Sequence, residues 1–553
     1  MAESENISTI SEAATAAGVD TTDFEVGQDN IKILGLDIHN PVFVISAVVI
    51  VAFVILALIF REGAEVFFSD MRGWLTATFD FTLLTIGNIF VLFSLLLIVT
   101  PLGSVRLGGQ DAKPDYSYVG WFAMLFAAGM GIGLMYFGVS EPLSHYSSSI
   151  GGAVVGEDGL RTDWAPLAGA LDDPAAAREL AMGATIFHWG LHPWAIYAVV
   201  ALALAFFSYN RGLPLTLRSA FYPLLGERVW GWPGHLIDIL AVFATLFGLA
   251  TSLGFGAEQA SAGLEYLFGF EPTDSSKSLL ILAITAVALI SVLAGLDAGV
   301  KRLSEINMML AAALLIFIFL AGPTLILLTG IGHNTLAYFR ELVPLANPFG
   351  RDDTNFMQGW TAFYWAWWIS WSPFVGMFIA RVSRGRTVRE FMICVILVPT
   401  AVSIIWMSTF GGAAIEQVIG QGHQNVADAA QEVKLFLMLQ EYPITQIASF
   451  VGIVLVIVFF VTSSDSGSLV VDTITAGGKV DAPLPQRVFW CVFEGVVAIV
   501  LLLGGGLTAL QAAAVATGVP FAFILLGMMV STLKGLMAER AGIKALKLKA
   551  AAE

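Results

Sequence analysis

Residues 363–376 read "FYWAWWISWSPFVG", with four tryptophans inside seven residues and Ser372-Pro373 directly after them. The apolar run around them, residues 357–380, is long enough to cross roughly 30 Å of hydrocarbon. Proline has no backbone N–H and clashes with the preceding turn, so we predict a membrane helix that is interrupted at Ser372-Pro373. A broken backbone survives in lipid only where protein or a wet cavity satisfies its polar groups. This stretch therefore indicates a helix that lines an internal site.

A second weak span has the sequence "FAAGMGIGLMYFGVSEP" over residues 126–142. Gly129, Gly131 and Gly133 lower its helix propensity and leave its backbone unshielded. A seam of small residues for close helix packing is the alternative interpretation. The two weak spans are the third and the eighth along the chain, so each could open a five-helix repeat. Interruptions at corresponding positions of two halves are typical of secondary transporters with inverted repeats and a midplane site.

Composition supports a chain that lies mostly in the membrane. Of its 553 residues, 57% are hydrophobic and only 13% are charged, and the mean hydropathy is +0.80. Apolar runs recur along almost the whole length, which predicts an all-α polytopic membrane protein with twelve transmembrane helices. The predicted spans are 41–60, 82–101, 117–139, 184–207, 236–268, 279–294, 306–329, 357–380, 391–411, 444–464, 488–503 and 511–533.

These spans divide the chain into six predicted parts. They are a flexible acidic tail (1–40), two additional helices (41–116), a first five-helix repeat (117–330), a connecting segment (331–356), a second, inverted repeat (357–533) and a short basic tail (534–553). In the connecting segment, residues 334–346 form either an amphipathic helix on the membrane surface or an ordinary loop. Cys394 and Cys491 lie in apolar segments and indicate no disulfide framework.

The distribution of basic residues predicts the orientation. Twelve spans place both termini on one side, and that side receives 19 of the 27 Lys and Arg residues. The positive-inside rule then predicts cytoplasmic termini in a cell inner (plasma) membrane. The acidic stretch 140–183 and the polar stretch 412–443 are expected outside. The net charge of −16 says little about partners, because much of the acid lies in the N-terminal tail and one loop.

The fourth span adds a second aromatic group in "FHWGLHPWAIY", residues 187–197, where Trp189, Trp194 and Tyr197 lie on one broad side. Aromatic faces bind cations, and quaternary ammonium groups best, without a buried carboxylate. The central parts of the third, fourth and eighth spans contain no Asp or Glu. A zwitterion that carries its own carboxylate fits that pattern, and open backbone N–H groups near residues 129–133 could bind the carboxylate. Interfacial anchoring is the alternative for Trp360 and Trp365.

Two further polar groups have competing interpretations. His188 and His192 have a spacing that suits a metal, but no third ligand is near in sequence, which favours packing or hydrogen bonding. The tenth span ends in "FFVTSSDSGS", residues 459–468, whose hydroxyls either bond back to carbonyls four residues earlier or supply oxygen ligands to a sodium-like cation. Asp465 beside them could cap or gate the cytoplasmic end of this helix.

Four motifs together resemble the betaine/carnitine/choline transporter family. They are "AGMGIGLMYFG" followed by "SEP" (128–142), "FHWGLHPWAIY" (187–197), "WTAFYWAWWISWSPFVGMFIARVSRGRTVREF" (360–391) and "FFVTSSDSGS" (459–468), within a similarity that runs from about residue 40 to 535. The resemblance implies a LeuT-type core of ten helices in a 5+5 inverted repeat, two extra N-terminal helices and assembly as a homotrimer. The basic loop 380–390 could contact anionic lipid.

The resemblance also implies site residues. Those expected to bind the substrate are Trp189, Trp194, Tyr197 and Trp368, with Trp371 close by, and the backbone of Gly129, Met130, Gly131 and Gly133. Those expected to hold one coupling Na⁺ are Ala127, Met130, Phe459, Thr462 and Ser463. For a second sodium Thr245 and Phe374 match, but Leu249 stands where a hydroxyl residue is expected, which counts against that site.

The predicted function is sodium-coupled uptake of glycine betaine, or of a close analogue such as dimethylsulfoniopropionate, by alternating access. One alternative is a proton-coupled choline transporter, although the resemblance would place Asp rather than glycine at position 133. A sodium-independent carnitine-type exchanger would carry an Arg in the fifth span, which has none. An onium-gated channel or a membrane enzyme is the alternative of another class. We expect no nucleic-acid partner and no enzymatic activity.

Overall fold

The computed structural model describes residues 22–129, 131–294 and 301–552, and these are mostly helical. Membrane-length apolar runs favour helices because a helix satisfies all its backbone hydrogen bonds within one segment. The longer helices, numbered in chain order, are α1 Asn40–Ile59, α2 Arg61–Val99, α3 Tyr118–Gly129, α4 Ile132–Ile150, α5 Pro174–Trp189, α6 Leu191–Arg211, α7 Trp232–Phe268, α8 Asp274–Ala294, α9 Lys301–Ala321, α10 Thr324–Ala346, α11 Phe363–Arg381, α12 Val388–Gln421, α13 Thr445–Thr475 and α14 Leu484–Ala552.

Short elements connect these helices. An antiparallel hairpin of β1 (Asn30–Ile33) and β2 (Leu36–His39) precedes α1. The remaining pieces are the helices Tyr222–Leu225, Thr354–Phe356, Gln424–Asp428 and Lys434–Gln440, the 3₁₀ turns Pro101–Ser104, Arg218–Phe221 and Gly226–Trp230, and the π-helical turn Met357–Ala362.

The helical stretches have the length and composition of membrane spans. Within the described ranges, nine stretches are long and apolar enough to cross a membrane. One of them, within α14, contains non-helical dihedral angles at Gly505 and Gly506, which lie between the spans predicted at 488–503 and 511–533. The protein is therefore a helical multi-pass membrane protein, and the count of twelve spans stays a prediction.

The break predicted in the third span is confirmed. α3 ends at Gly129 and α4 begins at Ile132, with Gly131 between them in an extended conformation (φ −168°, ψ −176°). Met130 lies outside the described residues. The first N–H groups of α4 have no acceptor in their own helix, so this break leaves polar backbone groups open.

A second break, which sequence analysis missed, lies at Gly190 in the fourth predicted span. Gly190 (φ −102°, ψ −129°) separates α5 from α6. A Cβ at this position would lie 2.7 Å from the carbonyl oxygen of Ile186 and 2.9 Å from the Tyr338 hydroxyl. Only glycine therefore fits this close approach, and the span predicted as one helix is two helices.

The interruption predicted at Ser372-Pro373 is wrong. Pro373 lies inside α11, which continues as an α-helix to Arg381. Pro373 cannot donate to the carbonyl of Ile369, but the Ser372 hydroxyl donates to that oxygen at 2.6 Å. The serine thus replaces the missing backbone donor, which is how Pro is tolerated in membrane helices. The irregular part of this segment is instead the π-helical turn Met357–Ala362 that precedes α11.

The flexible tail predicted for residues 1–40 is wrong for its last part, because residues 22–39 fold onto the protein. Phe24 stacks on Trp230, with ring centroids 4.1 Å apart and planes inclined by 6°. Asp37 pairs with Lys479 at 2.6 Å. The apolar surface and the ion pair together hold the hairpin against the connections 212–231 and 476–483.

The residues around the connection between α6 and α7 contact both the N-terminal hairpin and the helix α14. Arg218 in that connection lies 3.0 Å from Nε2 of His39. Arg211, at the end of α6, forms an ion pair with Glu539. The residues predicted as a basic tail, 534–553, continue α14 as helix up to Ala552.

Of two predicted connections, residues 334–346 confirm the helical alternative, and the stretch 140–183 is more helical than expected. Residues 334–346 belong to α10, which begins at Thr324 after Pro323, so the span predicted at 306–329 is too long and α9 ends at Ala321. The acidic stretch predicted outside at 140–183 contains the whole C-terminal half of α4 and the start of α5. Its non-helical part is only 151–173, and Glu141 is fully buried.

Candidate functional site

Four aromatic rings meet where α5, α6 and α11 pack together. The ring of Trp368 lies 5.1 Å from Trp189 and 5.4 Å from Tyr197, centroid to centroid, with interplanar angles of 87° and 77°. Trp194 contacts Tyr197 at 5.4 Å and 80°. These edge-to-face contacts bring together all four predicted cage residues, and all four are buried. We call Trp189, Trp194, Tyr197 and Trp368 the aromatic cage.

The polar edges of the cage differ in their hydrogen bonding. The Trp368 N–H donates to the carbonyl of His188 at 3.0 Å, and the Trp189 N–H donates to Glu141 at 2.7 Å. The N–H of Trp194 and the hydroxyl of Tyr197 are buried without a hydrogen-bond partner in the described part of the chain. A buried donor without an acceptor costs free energy. The cage therefore offers two donors that a polar ligand atom can satisfy.

Trp367 is a wall of the cage that sequence analysis left out. Its ring lies 5.8 Å from Trp368 and 6.4 Å from Trp189. Gly133 in the first turn of α4 faces both rings, since a Cβ there would lie 2.6 Å from Cη2 of Trp189 and 3.1 Å from Cη2 of Trp367. The glycine at position 133 is thus required by the tryptophans, and the open N-terminus of α4 adjoins the cage.

The other two tryptophans of the opening stretch have different surroundings. Trp365 is fully buried and stacks on His192 at 5.4 Å and 11°, so its predicted role as an interfacial anchor is wrong. Trp371 donates its N–H to the carbonyl of Gly248 at 2.8 Å. The tryptophans of α11 therefore have three different environments. Trp367 and Trp368 form part of the cage or its wall, Trp365 packs between helices, and Trp371 lines a separate cavity.

Trp360 lines a cavity beyond the cage, on the side of the π-helical turn. The cavity has a volume of about 320 Å³, and its walls include Arg72, Phe137, Trp164 and Trp360. Phe137 also contacts Trp189 at 6.1 Å, so a single ring separates this cavity from the cage. The interfacial anchoring considered for Trp360 stays a prediction, and the half-buried side chain of this residue lies on the wall of the cavity.

A buried carboxylate, Glu141, lies directly behind the cage. One of its oxygens accepts hydrogen bonds from Trp189 (2.7 Å) and from the Tyr364 hydroxyl (2.6 Å). The other oxygen contacts Nδ1 of His188 at 2.6 Å and Nε2 of His145 at 3.2 Å. The expectation that no acid lies near the cage is therefore wrong. The "SEP" motif at residues 140–142 could have indicated this carboxylate. Because the third span was predicted to end at residue 139, the motif was placed outside the membrane.

The histidine pair separates in the structure. His192 contacts the side-chain oxygen of Asn88 at 2.9 Å, whereas His188 joins Glu141 and His145. One ligand atom from each of Glu141, His145 and His188 lies within 4.8 Å of the others, a donor set that could hold a metal ion. The carboxylate is, however, already bonded to both imidazoles, and an ion would have to displace them. Hydrogen bonding, which the lack of a third ligand near in sequence favoured, accounts for both histidines.

Three of the predicted sodium residues share one cavity. Phe459, Thr462 and Ser463 line a space of about 110 Å³ together with Trp371 and Phe374. The Thr462 hydroxyl donates back to the carbonyls of Val458 (3.0 Å) and Phe459 (3.2 Å).

One further predicted sodium residue, Ala127, lies just before the break after α3. Ala127 and Gly129 belong to the last turn of α3, and Met130 lies outside the described residues. The sodium site thus stays a prediction. The structure places its three residues on α13 along one cavity.

The remaining hydroxyls near this cavity have other partners. Ser464 donates to the buried Glu494 at 2.9 Å, and Asp465 accepts from Ser291 at 2.7 Å. Arg487 lies 3.8 Å from Asp465. These contacts tie α13 to α8 and α14, and they place Ser464 and Asp465 away from the cavity that Ser463 lines.

The second sodium site is left with little support. The Thr245 hydroxyl donates to the carbonyl of Ala241 at 2.8 Å, and the side chain of Leu249 is fully buried. Phe374 lies in the cavity wall with Trp371. Because leucine offers no oxygen ligand, the side chains at this position cannot complete the coordination that the resemblance implies.

Comparison with known proteins agrees with this arrangement. The family described as BCCT, betaine/carnitine/choline family transporter, matches residues 41–541. A glycine betaine/proline/choline transporter of Vibrio parahaemolyticus is 63% identical, covering 95% of this chain and 96% of its own. Glycine betaine transporter 1 of the same species is 54% identical over 94% and 98% of the two chains, and a glycine betaine transporter of Bacillus subtilis is 40% identical over 87% and 90%. The chain therefore belongs to the betaine/carnitine/choline transporter family, whose members are membrane transporters and not enzymes.

Proposed function

We propose that this protein imports glycine betaine, or a close zwitterionic onium analogue, together with Na⁺ across the cell inner membrane. The observation that carries the proposal is the aromatic cage, in which four buried rings from α5, α6 and α11 form a series of contacts with centroid distances of 5.1–5.4 Å between successive rings. Aromatic faces attract a desolvated quaternary ammonium group, which cannot use hydrogen bonds. The names of two relatives, one a glycine betaine/proline/choline transporter and the other a glycine betaine transporter, support this assignment.

The carboxylate of the substrate has plausible donors beside the cage. The unpaired N–H of Trp194 and hydroxyl of Tyr197 are two of them. The open N-terminus of α4 near Gly131 and Gly133 is a third, because the first N–H groups of a helix attract anions. Since dimethylsulfoniopropionate carries a sulfonium and a carboxylate, the same site would accept it.

We propose sodium coupling because oxygen atoms of α3 and α13 could together coordinate a Na⁺ ion. We assign Ala127, Met130, Phe459, Thr462 and Ser463 as its ligands, with backbone carbonyl and hydroxyl oxygens suiting a hard cation. The break after α3 supplies carbonyl groups that no helix uses, and the cavity beside Thr462 and Ser463 supports access. One sodium is proposed, because Leu249 counts against the second.

Transport requires the cage to open alternately to the two sides. The cage rings are in direct contact with one another, so the structure represents a conformation in which the cage is closed. We propose twelve spans with a LeuT-type 5+5 repeat, cytoplasmic termini and a homotrimer, in line with the family resemblance. Discrete helix breaks beside a midplane site are typical of such transporters.

Choline is the second candidate substrate. The relative from Vibrio parahaemolyticus that is 63% identical is named for glycine betaine, proline and choline. Glycine at position 133 argues for a zwitterion, but this relative shows that substrates of both kinds occur among close homologues. Choline and betaine share the trimethylammonium group that the cage would bind.

The test is transport by purified protein in proteoliposomes. We expect accumulation of radiolabelled glycine betaine that requires an inward sodium gradient and responds to membrane potential. Dimethylsulfoniopropionate, proline and choline are supplied as alternative substrates and as competitors. Accumulation that is equally fast without sodium would overturn the coupling, and rates far above a transporter's turnover would favour a channel.

A further inference from the structure

The hydrogen bonds of Glu141 define its charge state. Tyr364 and Trp189 are neutral donors to one oxygen, and both distances are at or below 2.7 Å. A carboxylate accepts such bonds at both oxygens, and it does so best when ionised. Since four donors converge on this group, the ionised form is the one that the surroundings satisfy.

The two imidazoles do not cancel that charge. Nε2 of His145 faces Glu141, whereas its Nδ1 is buried without a partner in the described residues. A proton on Nδ1 would be a buried donor with no acceptor, so His145 is the neutral Nε2–H tautomer. His188 donates from Nδ1, and its Nε2 lies 3.0 Å from the Thr361 hydroxyl, which can donate to it.

The cluster formed by Glu141, His145, His188 and Tyr364 thus holds one uncompensated negative charge. Across the described ranges, the ion pairs of Glu141 are with the two histidines only, and no Lys or Arg lies within 4.0 Å of it. A buried charge in a membrane protein is costly and is typically functional. Its position behind Trp189 says what that function can be.

We propose that Glu141 is a positioning and specificity-determining residue, which fixes Trp189 in the cage and places a net negative charge behind it that favours substrates with net positive charge. The inference rests on the proposed function. In this proposal the negative charge of Glu141 does not contact the onium group, because the ring of Trp189 lies between them. Trp189 transmits the effect because its N–H is bonded to the carboxylate while its ring contacts Trp368.

The two substrate classes should respond to this charge differently. A cation on the face of Trp189 lies about 8 Å from the carboxylate, and Coulomb's law with an effective dielectric constant of about 20 gives about thirtyfold in affinity. In a zwitterion, the substrate's own carboxylate lies about 4 Å further from Glu141 than the onium does. Repulsion between the two carboxylates offsets most of the attraction to the onium, so the charge of Glu141 raises the affinity for a zwitterion by only about threefold. Loss of the Glu141 charge should therefore lower the choline-to-betaine affinity ratio by about tenfold.

The test measures that ratio in Glu141→Gln. The KM of glycine betaine and the inhibition constants of choline and tetramethylammonium against betaine uptake are determined in proteoliposomes. Glutamine keeps the side-chain length and a carbonyl oxygen for Trp189, and His188 can change tautomer to accept from the amide because its Nε2 then donates to Thr361, whereas His145 keeps its Nε2–H tautomer. We expect the inhibition constants of both cations to rise about thirtyfold and the betaine KM about threefold. Equal shifts for cations and zwitterion, or no shift, would overturn the counter-charge.

Two further variants separate charge from geometry. Glu141→Asp keeps the charge but shortens the side chain, so both affinities should fall while their ratio stays within about threefold of the wild type. Tyr364→Phe removes one neutral donor, and its ratio should also be retained. If Glu141→Gln does not fold, Glu141→Asp still tests the proposal, because a choline-to-betaine affinity ratio tenfold below that of the wild type would contradict it. Wild-type protein without betaine uptake would refute the proposed function instead.

Discussion

A single methyl group at Gly133 tests whether the cage geometry determines affinity. In Gly133→Ala the new Cβ would lie 2.6 Å from Cη2 of Trp189 and 3.1 Å from Cη2 of Trp367. Carbon atoms ordinarily approach to about 3.5–4.0 Å, so the Trp189 ring must move by about 1 Å. That ring is held by its hydrogen bond to Glu141 at 2.7 Å, and it cannot move without straining this bond.

The expected magnitude follows from the cost of overpacking. Inserting a methylene into a well-packed interior costs about 1–3 kcal/mol. If the displacement falls on Trp189, the binding free energy of the onium absorbs this cost, and the apparent KM for glycine betaine rises by about five- to 150-fold. The maximal rate should change less, because the added methyl group does not touch the sodium residues.

The assay compares two glycine-to-alanine variants in sodium-driven betaine uptake. In the control, Gly452→Ala in α13, the new Cβ would meet its nearest atoms, in Leu435 and Phe436, at 3.7 and 3.8 Å, an ordinary contact. Both variants gain helix propensity, so that effect cancels between them. We expect an unchanged KM in the control. A KM within twofold of the wild type in Gly133→Ala, at normal protein yield, would refute the idea that Trp189 is fixed where the substrate binds.

Three more predictions use positions described above. Trp368→Ala should raise the KM for glycine betaine about thirtyfold, because a desolvated cation–π contact is worth about 2 kcal/mol; Trp365→Phe, in the same helix but outside the cage, should lower thermal stability and leave the KM unchanged. Ser372→Ala should destabilise the protein by about 1–3 kcal/mol, because a buried carbonyl loses its donor. Adding Pro373→Ala should restore the melting temperature, since it returns the backbone N–H, and a further loss would contradict this account. In loop 151–173, burial raises the pKa of Asp163, but its ion pair with an arginine and two backbone N–H groups outweigh burial and lower the pKa to about 2. The stabilisation by Asp163 is therefore present above its unfolded pKa of about 3.9 and is lost as the pH falls through about 2, so the melting temperatures of wild type and Asp163→Asn should differ at pH 7 and converge over that interval.

The sequence alone predicted those features that depend mainly on the type of residue at each position. Long apolar runs located the helices, and the predicted onium residues Trp189, Trp194, Tyr197 and Trp368 do lie together. Glycine at 131 marked a true break, because one helix ends at Gly129 and the next begins at Ile132. The predicted sodium residues on α13 share one cavity wall, although their coordination stays a prediction.

The failures come from contacts between residues distant in sequence. Gly190 is required by the approach of Tyr338, which is 148 positions away in the chain and invisible to a helix pattern. Glu141 looked like part of an acidic loop, and only its convergence with His188 and Tyr364 shows that a membrane helix buries it. Phe24 and Trp230 likewise fold a segment whose composition alone predicts a flexible tail.

The positions of the helix breaks change the reason for expecting an inverted repeat. The prediction paired a break in the third span with one in the eighth, but Ser372 satisfies the carbonyl that Pro373 leaves free, and α11 continues. The breaks at Gly131 and Gly190 instead both lie beside Trp189, within the first predicted repeat. A 5+5 arrangement is therefore supported by the resemblance in motifs and not by paired interruptions. The break after α3 leaves backbone N–H groups at the start of α4 open beside the cage, where the carboxylate of a zwitterion could bind, whereas at Gly190 the His188 carbonyl accepts from Trp368 and the Leu191 N–H donates to Tyr338.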